Sequence, residues 1–287
     1  MKTFLFSAVL LLTLSCKEKE LPAVSNGDVS IAYTFSGKGD TTILLVHGWC
    51  INKEYWRQTI HELTNQYTVV AMDLGGHGHS GHNRTSWTVE DYARDVAALI
   101  TTLNLQKVIL VGHSMGGDII LQAALSMPDK IIGFIAVDTF KGFTTKFSAE
   151  EEQQISAFIR ALKTNFDSTA TVYSKLALFP ANYGDTASVN RVIRNIQEAD
   201  PEIAIQSLES VIQFTPKEVE LLPALTIPVQ LIVSDYTPTQ EEKLKTYCRA
   251  GYSLRTIRGT GHYPMIEKPE EFARLLKEAI QSINRGQ

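Results

Sequence analysis

The stretch Lys107-Val108-Ile109-Leu110-Val111-Gly112-His113-Ser114-Met115-Gly116-Gly117-Asp118-Ile119-Ile120-Leu121 decides the fold. Its first part is a short, continuous, β-branched apolar run, the pattern of a strand buried on both faces. From Met115 to Ser126 the apolar residues return at helical spacing. Between them lies Gly112-His113-Ser114-Met115-Gly116, a G-x-S-x-G motif in the strand-then-helix context that the motif requires. The turn is too sharp for side chains at its flanks, hence the glycines, and it thrusts the Ser114 hydroxyl out of the sheet. The helix start adds free N–H groups and a partial positive charge beside that hydroxyl. Ser114 is thus the candidate nucleophile, and the Met115 N–H a candidate donor to a developing oxyanion.

Working outward, Ile43–Val46 and Val69–Met72 read as buried strands before the motif, and Ile131–Val137, Val229–Val233 and Leu254–Ile257 as strands after it. Val29–Phe35 alternates as a first strand and is closed by the turn Gly37-Lys38-Gly39-Asp40. Helical patterns separate the strands: Thr88 to Leu103, with Thr88 and Asp91 as an N-terminal cap pair, and finally Pro269–Ile283. Such alternation implies an α/β fold with a mostly parallel, doubly wound sheet. The rhythm breaks between residues 140 and 223. That span is helical without a buried strand and rich in aromatics, including Phe143, Phe158, Phe166, Tyr173, Phe179 and Phe214. It is expected to be an all-helical lid set into a core of residues 27–139 and 224–287.

Two further segments carry chemistry. His47-Gly48-Trp49 ends a strand, and its loop should supply the second oxyanion donor, the Trp49 N–H, while His47 braces the loop. Gly259-Thr260-Gly261-His262 follows the last strand. Its small residues leave the loop free to bring the His262 imidazole back to Ser114 as general base. The chain order of serine before histidine fits a strand-turn-helix nucleophile.

These motifs, together with Asp73-Leu74-Gly75-Gly76-His77-Gly78-His79-Ser80 and Gly261-His262-Tyr263-Pro264, resemble the α/β-hydrolase superfamily from about Val29 to Ile283. More narrowly they are similar to its lidded esterases, C–C hydrolases, haloalkane dehalogenases and epoxide hydrolases. The last two attack with aspartate, so Ser114 argues against both. The resemblance implies an acid three residues after a small residue closing the seventh strand, but in Ser234-Asp235-Tyr236-Thr237 that place holds Thr237. Two carboxylates remain: Asp138, at the end of the sixth strand, is favoured, and Asp235, in the expected loop, is the alternative. His77-Gly78-His79-Ser80-Gly81-His82 approaches an H-x-H-x-D-H zinc motif, but Gly81 replaces its aspartate and the hydrolase loop accounts for the same residues. No metal and no organic cofactor are expected.

Composition is that of an ordinary globular protein: 44% hydrophobic and 20% charged residues, with a net charge of -4 that gives no basic footprint for nucleic acid. Three scattered cysteines make neither a disulfide framework nor a zinc site. The N-terminus differs. Lys2 precedes the apolar run Phe4 to Leu14, which as a helix rises only about 16 Å, too short for a bilayer core of about 30 Å. A basic start, an apolar run and then Ser15-Cys16 describe a secretory signal over residues 1–15. Cys16 resembles the lipid-bearing cysteine of bacterial lipoproteins, with Thr13 where that pattern usually has leucine. Residues 16–26 would then be a tether, and the protein an exported one held to a membrane through its lipid. The expected activity is cleavage of a carboxylic ester, a small-molecule acyl substrate, through an acyl-enzyme. The rivals are C–C hydrolysis or acyl transfer on the same triad, or ligand binding without catalysis.

Overall fold

The computed structural model describes residues 22–286. The expected signal segment, Cys16 and the tether up to residue 21 lie outside the described residues. Eight strands form one sheet: β1 (Ala23–Asn26), β2 (Val29–Ser36), β3 (Thr42–Val46), β4 (Thr68–Met72), β5 (Val108–His113), β6 (Ile131–Val137), β7 (Val229–Ser234) and β8 (Tyr252–Ile257). Their spatial order is β1-β2-β4-β3-β5-β6-β7-β8. β2 runs antiparallel to both β1 and β4, and every other pairing is parallel. The continuous apolar runs are central strands: each residue of β3, β4 and β5 is buried. Helices α1 (Arg57–Leu63), α2 (Val89–Thr102) and α3 (Met115–Ser126) fill the first crossovers. Thr88 caps α2 with Asp91 in the reciprocal manner that the sequence suggests.

The insertion between β6 and β7 is all-helical: α4 (Ala149–Thr164), α5 (Phe166–Ala177), α6 (Thr186–Glu198), α7 (Pro201–Phe214) and the short α8 (Glu218–Leu221). α9 (Glu241–Tyr247), α10 (Pro264–Glu267) and α11 (Pro269–Arg285) complete the core. The lid returns to the core beside the nucleophile helix, where Glu218 of α8 meets Asp118 of α3. Both carboxyls are buried, and burial raises both above the ordinary range.

The presumed tether ends earlier than expected. Residues 23–26 form an edge strand because Val24 is buried opposite Ile31 and the Asn26 amide donates to the buried Asp95. β5 also runs two residues past Val111, and β8 starts two before Leu254, because neighbouring strands offer ladder partners there.

Parallel register aligns the strand ends that matter. Val46 pairs with Gly112, and His113 with Val137, so the residues after β3, β5 and β6 emerge on one edge, where open α/β sheets bind ligands. The loops after β3 and β4 are joined there by an ion pair. Lys53 Nζ lies 2.5 Å from Asp73 Oδ2, with both side chains buried. Asp73 also accepts the backbone N–H groups of Lys53 and His79. Removing one partner of such a pair leaves an uncompensated buried charge, which typically costs about 3–5 kcal/mol. Lys53→Met should therefore lower the unfolding free energy by about that amount in a denaturant titration. A loss below about 1 kcal/mol would mean that the pair does not tie the two loops.

Candidate active site

Ser114 sits between β5 and α3 with φ 53° and ψ -122°, a conformation that side-chain-bearing residues rarely hold. The turn closes only because its flanks lack side chains. A Cβ on Gly112 would lie 2.3 Å from the Gly116 carbonyl oxygen, and one on Gly116 would lie 2.6 Å from that of Val46. Two backbone bonds hold the serine: its N–H donates to Val137 O, and its carbonyl accepts the Gly117 N–H.

Helix α3 starts at Met115, so the Met115 N–H has no intrahelical acceptor. The loop after β3 presses against the elbow, for a Cβ on Gly48 would lie 3.1 Å from Ser114 Cβ. His47 braces that loop. Its Nε2 accepts the Leu74 N–H at 2.9 Å, which places the ring proton on Nδ1, 2.8 Å from the Gly48 carbonyl it donates to. Burial lowers the His47 pKa to about 3, so the ring is neutral and a structural strut. Trp49 reaches upward: its Nε1 donates to Ala204 O of α7 at 2.7 Å, and its ring meets Phe166 and Tyr173 edge-on.

His262 lies in the loop between β8 and α10. Its Nδ1 is 2.6 Å from Asp138 Oδ2 and 3.4 Å from the Tyr236 hydroxyl. Both contacts use Nδ1, so Nε2 stays clear of them. No hydrogen bond joins Ser114 Oγ to His262 among the described residues, and bonds between a serine and its base commonly tighten only when substrate binds. The loop is held from three sides. The His262 N–H donates to Leu178 O at the end of α5, its carbonyl accepts from His113 Nε2, and Glu267 accepts the N–H groups of Gly261 and Tyr263. His113 is neutral, because burial takes its pKa down to about 3.

The two candidate acids separate clearly. Asp138 is buried, and its Oδ1 accepts the Ser234 N–H at 2.9 Å, the Ser234 hydroxyl at 2.6 Å and Lys141 Nζ at 3.2 Å. Burial alone pushes this carboxyl up. The His262 contact, Lys141 and Ser234 outweigh it and hold the pKa at about 2. Asp235 is exposed and accepts the Gly259 N–H at 2.8 Å; it has no bond to His262. Thr237 is exposed as well. The histidines of the zinc-like run diverge: His77 is buried and bonded to Gly75 O, while His79 is exposed beside Asp73.

Sequence reasoning missed Ser234, Lys141, Tyr236, His113 and Glu267. The available cues were faint: Lys141 follows Asp138 by one helical turn's spacing, and Glu267 follows His262 by five residues.

A family model for the alpha/beta hydrolase fold matches residues 41–269. An uncharacterized protein of Mycobacterium tuberculosis is 27% identical over 276 residues, 88% of this chain and 78% of that protein. A karrikin insensitive 2 receptor of Petunia hybrida is 23% identical over 245 residues, 82% of this chain and 89% of the receptor. An esterase from Thermogutta terrifontis superposes with a TM-score of 0.79 at 24% identity, over 92% of this chain and 99% of that one. The match from β3 to the start of α11 takes in the elbow, the lid and the histidine loop: the chain belongs to the alpha/beta hydrolase fold family.

Proposed function

We propose that this protein is a serine hydrolase that cleaves a carboxylic ester, or a related acyl bond, through Ser114, His262 and Asp138. The observation that carries this reading is the 2.6 Å contact between His262 Nδ1 and a buried, ionised Asp138. With Nδ1 engaged, the imidazole presents Nε2 as the base. His262 takes the Ser114 proton as Oγ attacks the carbonyl carbon. The N–H groups of Met115 and Trp49 receive the oxyanion, and His262 returns the proton to the leaving alcohol. Water then repeats the sequence and frees the acid. Esters need the least leaving-group assistance, which favours them over amides. The esterase likeness of the fold agrees with this reading.

A second reading has one specific support. A relative of this chain bears the name of a receptor, so a pocket that senses a ligand with little turnover is the alternative from another class. Repeated turnover separates the two. Wild type should label with a fluorophosphonate and release many equivalents of acid from short-chain esters. Ser114→Ala should abolish labelling and lower turnover by several orders of magnitude. Labelling of wild type with at most one equivalent of acid released would favour the receptor reading; Ser114→Ala that keeps its activity would remove Ser114 from the mechanism.

The acid is tested by exchange of charge for amide. Asp138→Asn should cost as much as about 10⁴-fold in kcat, the scale of the serine-protease example, by offering His262 the wrong partner. Asp235→Asn, at an exposed loop cap, should change kcat less than about threefold. Equal losses, or the reverse ranking, would displace Asp138.

The sequence of residues 1–16 further supports export with a lipid on Cys16. Mass spectrometry of the mature protein should show an acylated N-terminal Cys16, and Cys16→Ser should lose both the lipid and membrane partition. An unmodified N-terminus elsewhere would exclude anchoring.

A further inference from the structure

The Asp138 carboxylate has a neighbour that the triad alone does not call for. Lys141 stands at the root of the lid, three residues after Asp138, with a side chain only 12% exposed. Its ammonium is wedged between the ends of β6 and β7. It donates to Ser234 O at 2.9 Å, lies 3.4 Å from Ser234 Oγ and 3.2 Å from Asp138 Oδ1, and sits 4.7 Å from the centre of the Tyr236 ring. The backbone is fixed too, because the Lys141 carbonyl accepts the Gln240 N–H at 2.7 Å. A lysine tied at both ends, with its charge against the acid's second oxygen, is not a solvated surface group.

We propose that Lys141 is a positioning residue that tunes the Asp138–His262 pair, partly cancelling the carboxylate's charge through the oxygen that His262 does not use, so that turnover persists in more acidic solution. The inference rests on the triad assigned above. An unaccompanied carboxylate stabilises imidazolium in the resting protein, and a resting imidazolium cannot accept the serine proton. A cation on the far carboxylate oxygen opposes that protonation while leaving the geometry at Oδ2 intact.

The other groups facing the ring do not supply this charge. His113, from the end of β5, is neutral, with its ring centre 4.8 Å from that of His262. The phenols of Tyr236 from the β7 loop and Tyr263 beside the histidine are both raised by burial and so stay protonated. Glu267, from α10, is raised by burial and engaged with two loop amides. Lys141 is therefore the cation that Asp138 holds among the described residues.

The test compares kcat/KM against pH for wild type, Lys141→Met, Lys141→Gln, Lys141→Arg and Asp138→Asn on one short-chain ester. Thermal melts identify the folded variants, and either neutral substitution suffices. Loss of the cation should move the acid limb of the profile upward by about 1–2 pH units. That is the scale of a unit charge several ångströms away in a medium of effective dielectric near 20, reduced by partial exposure. Lys141→Arg should restore the wild-type limb. A neutral variant that loses activity equally at every pH, with the limb unmoved, would make Lys141 a packing residue and overturn the inference. An inactive Asp138→Asn beside that result would leave the triad standing. An active Asp138→Asn would remove the triad assignment and this inference together.

Discussion

Helix α3 must begin one residue after strand β5 ends, and that single reversal at Ser114 governs the rest of the site. The positive φ at Ser114 costs on the order of 1–3 kcal/mol, so the surroundings have to enforce it. They do so sterically and through hydrogen bonds. The Gly116 carbonyl nearly touches Gly112, and the Gly116 Cα lies against the ends of Val46 and His47, while the Ser114 N–H is held by Val137. With α3 seated this deeply, the loop after β3 runs close against the serine, where a Cβ on Gly48 would lie 3.1 Å from Ser114 Cβ. His47 fixes that path from below by bonding both Leu74 and Gly48. The Lys53–Asp73 pair then locks the next turn of the same loop to the end of β4.

The parallel sheet decides where an acid can stand. Residues that leave the ends of β6 and β7 are side by side, because Val137 pairs with Ile232. A carboxylate on either strand end lies near the loop that carries His262. This chain places it on β6, where Asp138 adopts φ 46°, a left-handed conformation that aspartate tolerates better than most residues. The end of β7 is then free to serve as a cradle: Ser234 gives its N–H and hydroxyl to Asp138 Oδ1. Those donors offset the desolvation of a buried carboxylate and leave Oδ2 for the imidazole. Threonine at position 237 has no partner role to fill, and it is exposed.

The legible parts of this fold were those set by local pattern. The elbow, the buried runs of β3 to β7, the cap of α2 and the histidine loop are each encoded within about fifteen neighbouring residues. β1 was missed because Ala23–Asn26 has no pattern of its own and becomes a strand only by pairing with β2 and anchoring Asn26 on Asp95. The choice between Asp138 and Asp235 stayed open for a related reason. Asp235 lies in the expected loop by sequence, yet its carboxylate turns to cap Gly259. The groups that single out Asp138 are distant in the chain: Ser234 is 96 residues away and His262 is 124. Glu267 and His113 were hidden likewise, since their work is to hold a backbone segment, and backbone partners leave no trace in residue type.

The helical insertion completes the hydrogen bonding of both loops that converge on Ser114 and Asp138. Trp49, in the loop after β3, gives its indole N–H to Ala204 of α7, and His262 gives its main-chain N–H to Leu178 at the end of α5. The aromatic rings of Phe166 and Tyr173 close on the Trp49 ring, and Phe179 packs on Tyr263. A lid that opened fully would strip a bond from each loop and leave two buried donors to find water. Opening that keeps α7 and the end of α5 in place costs neither bond.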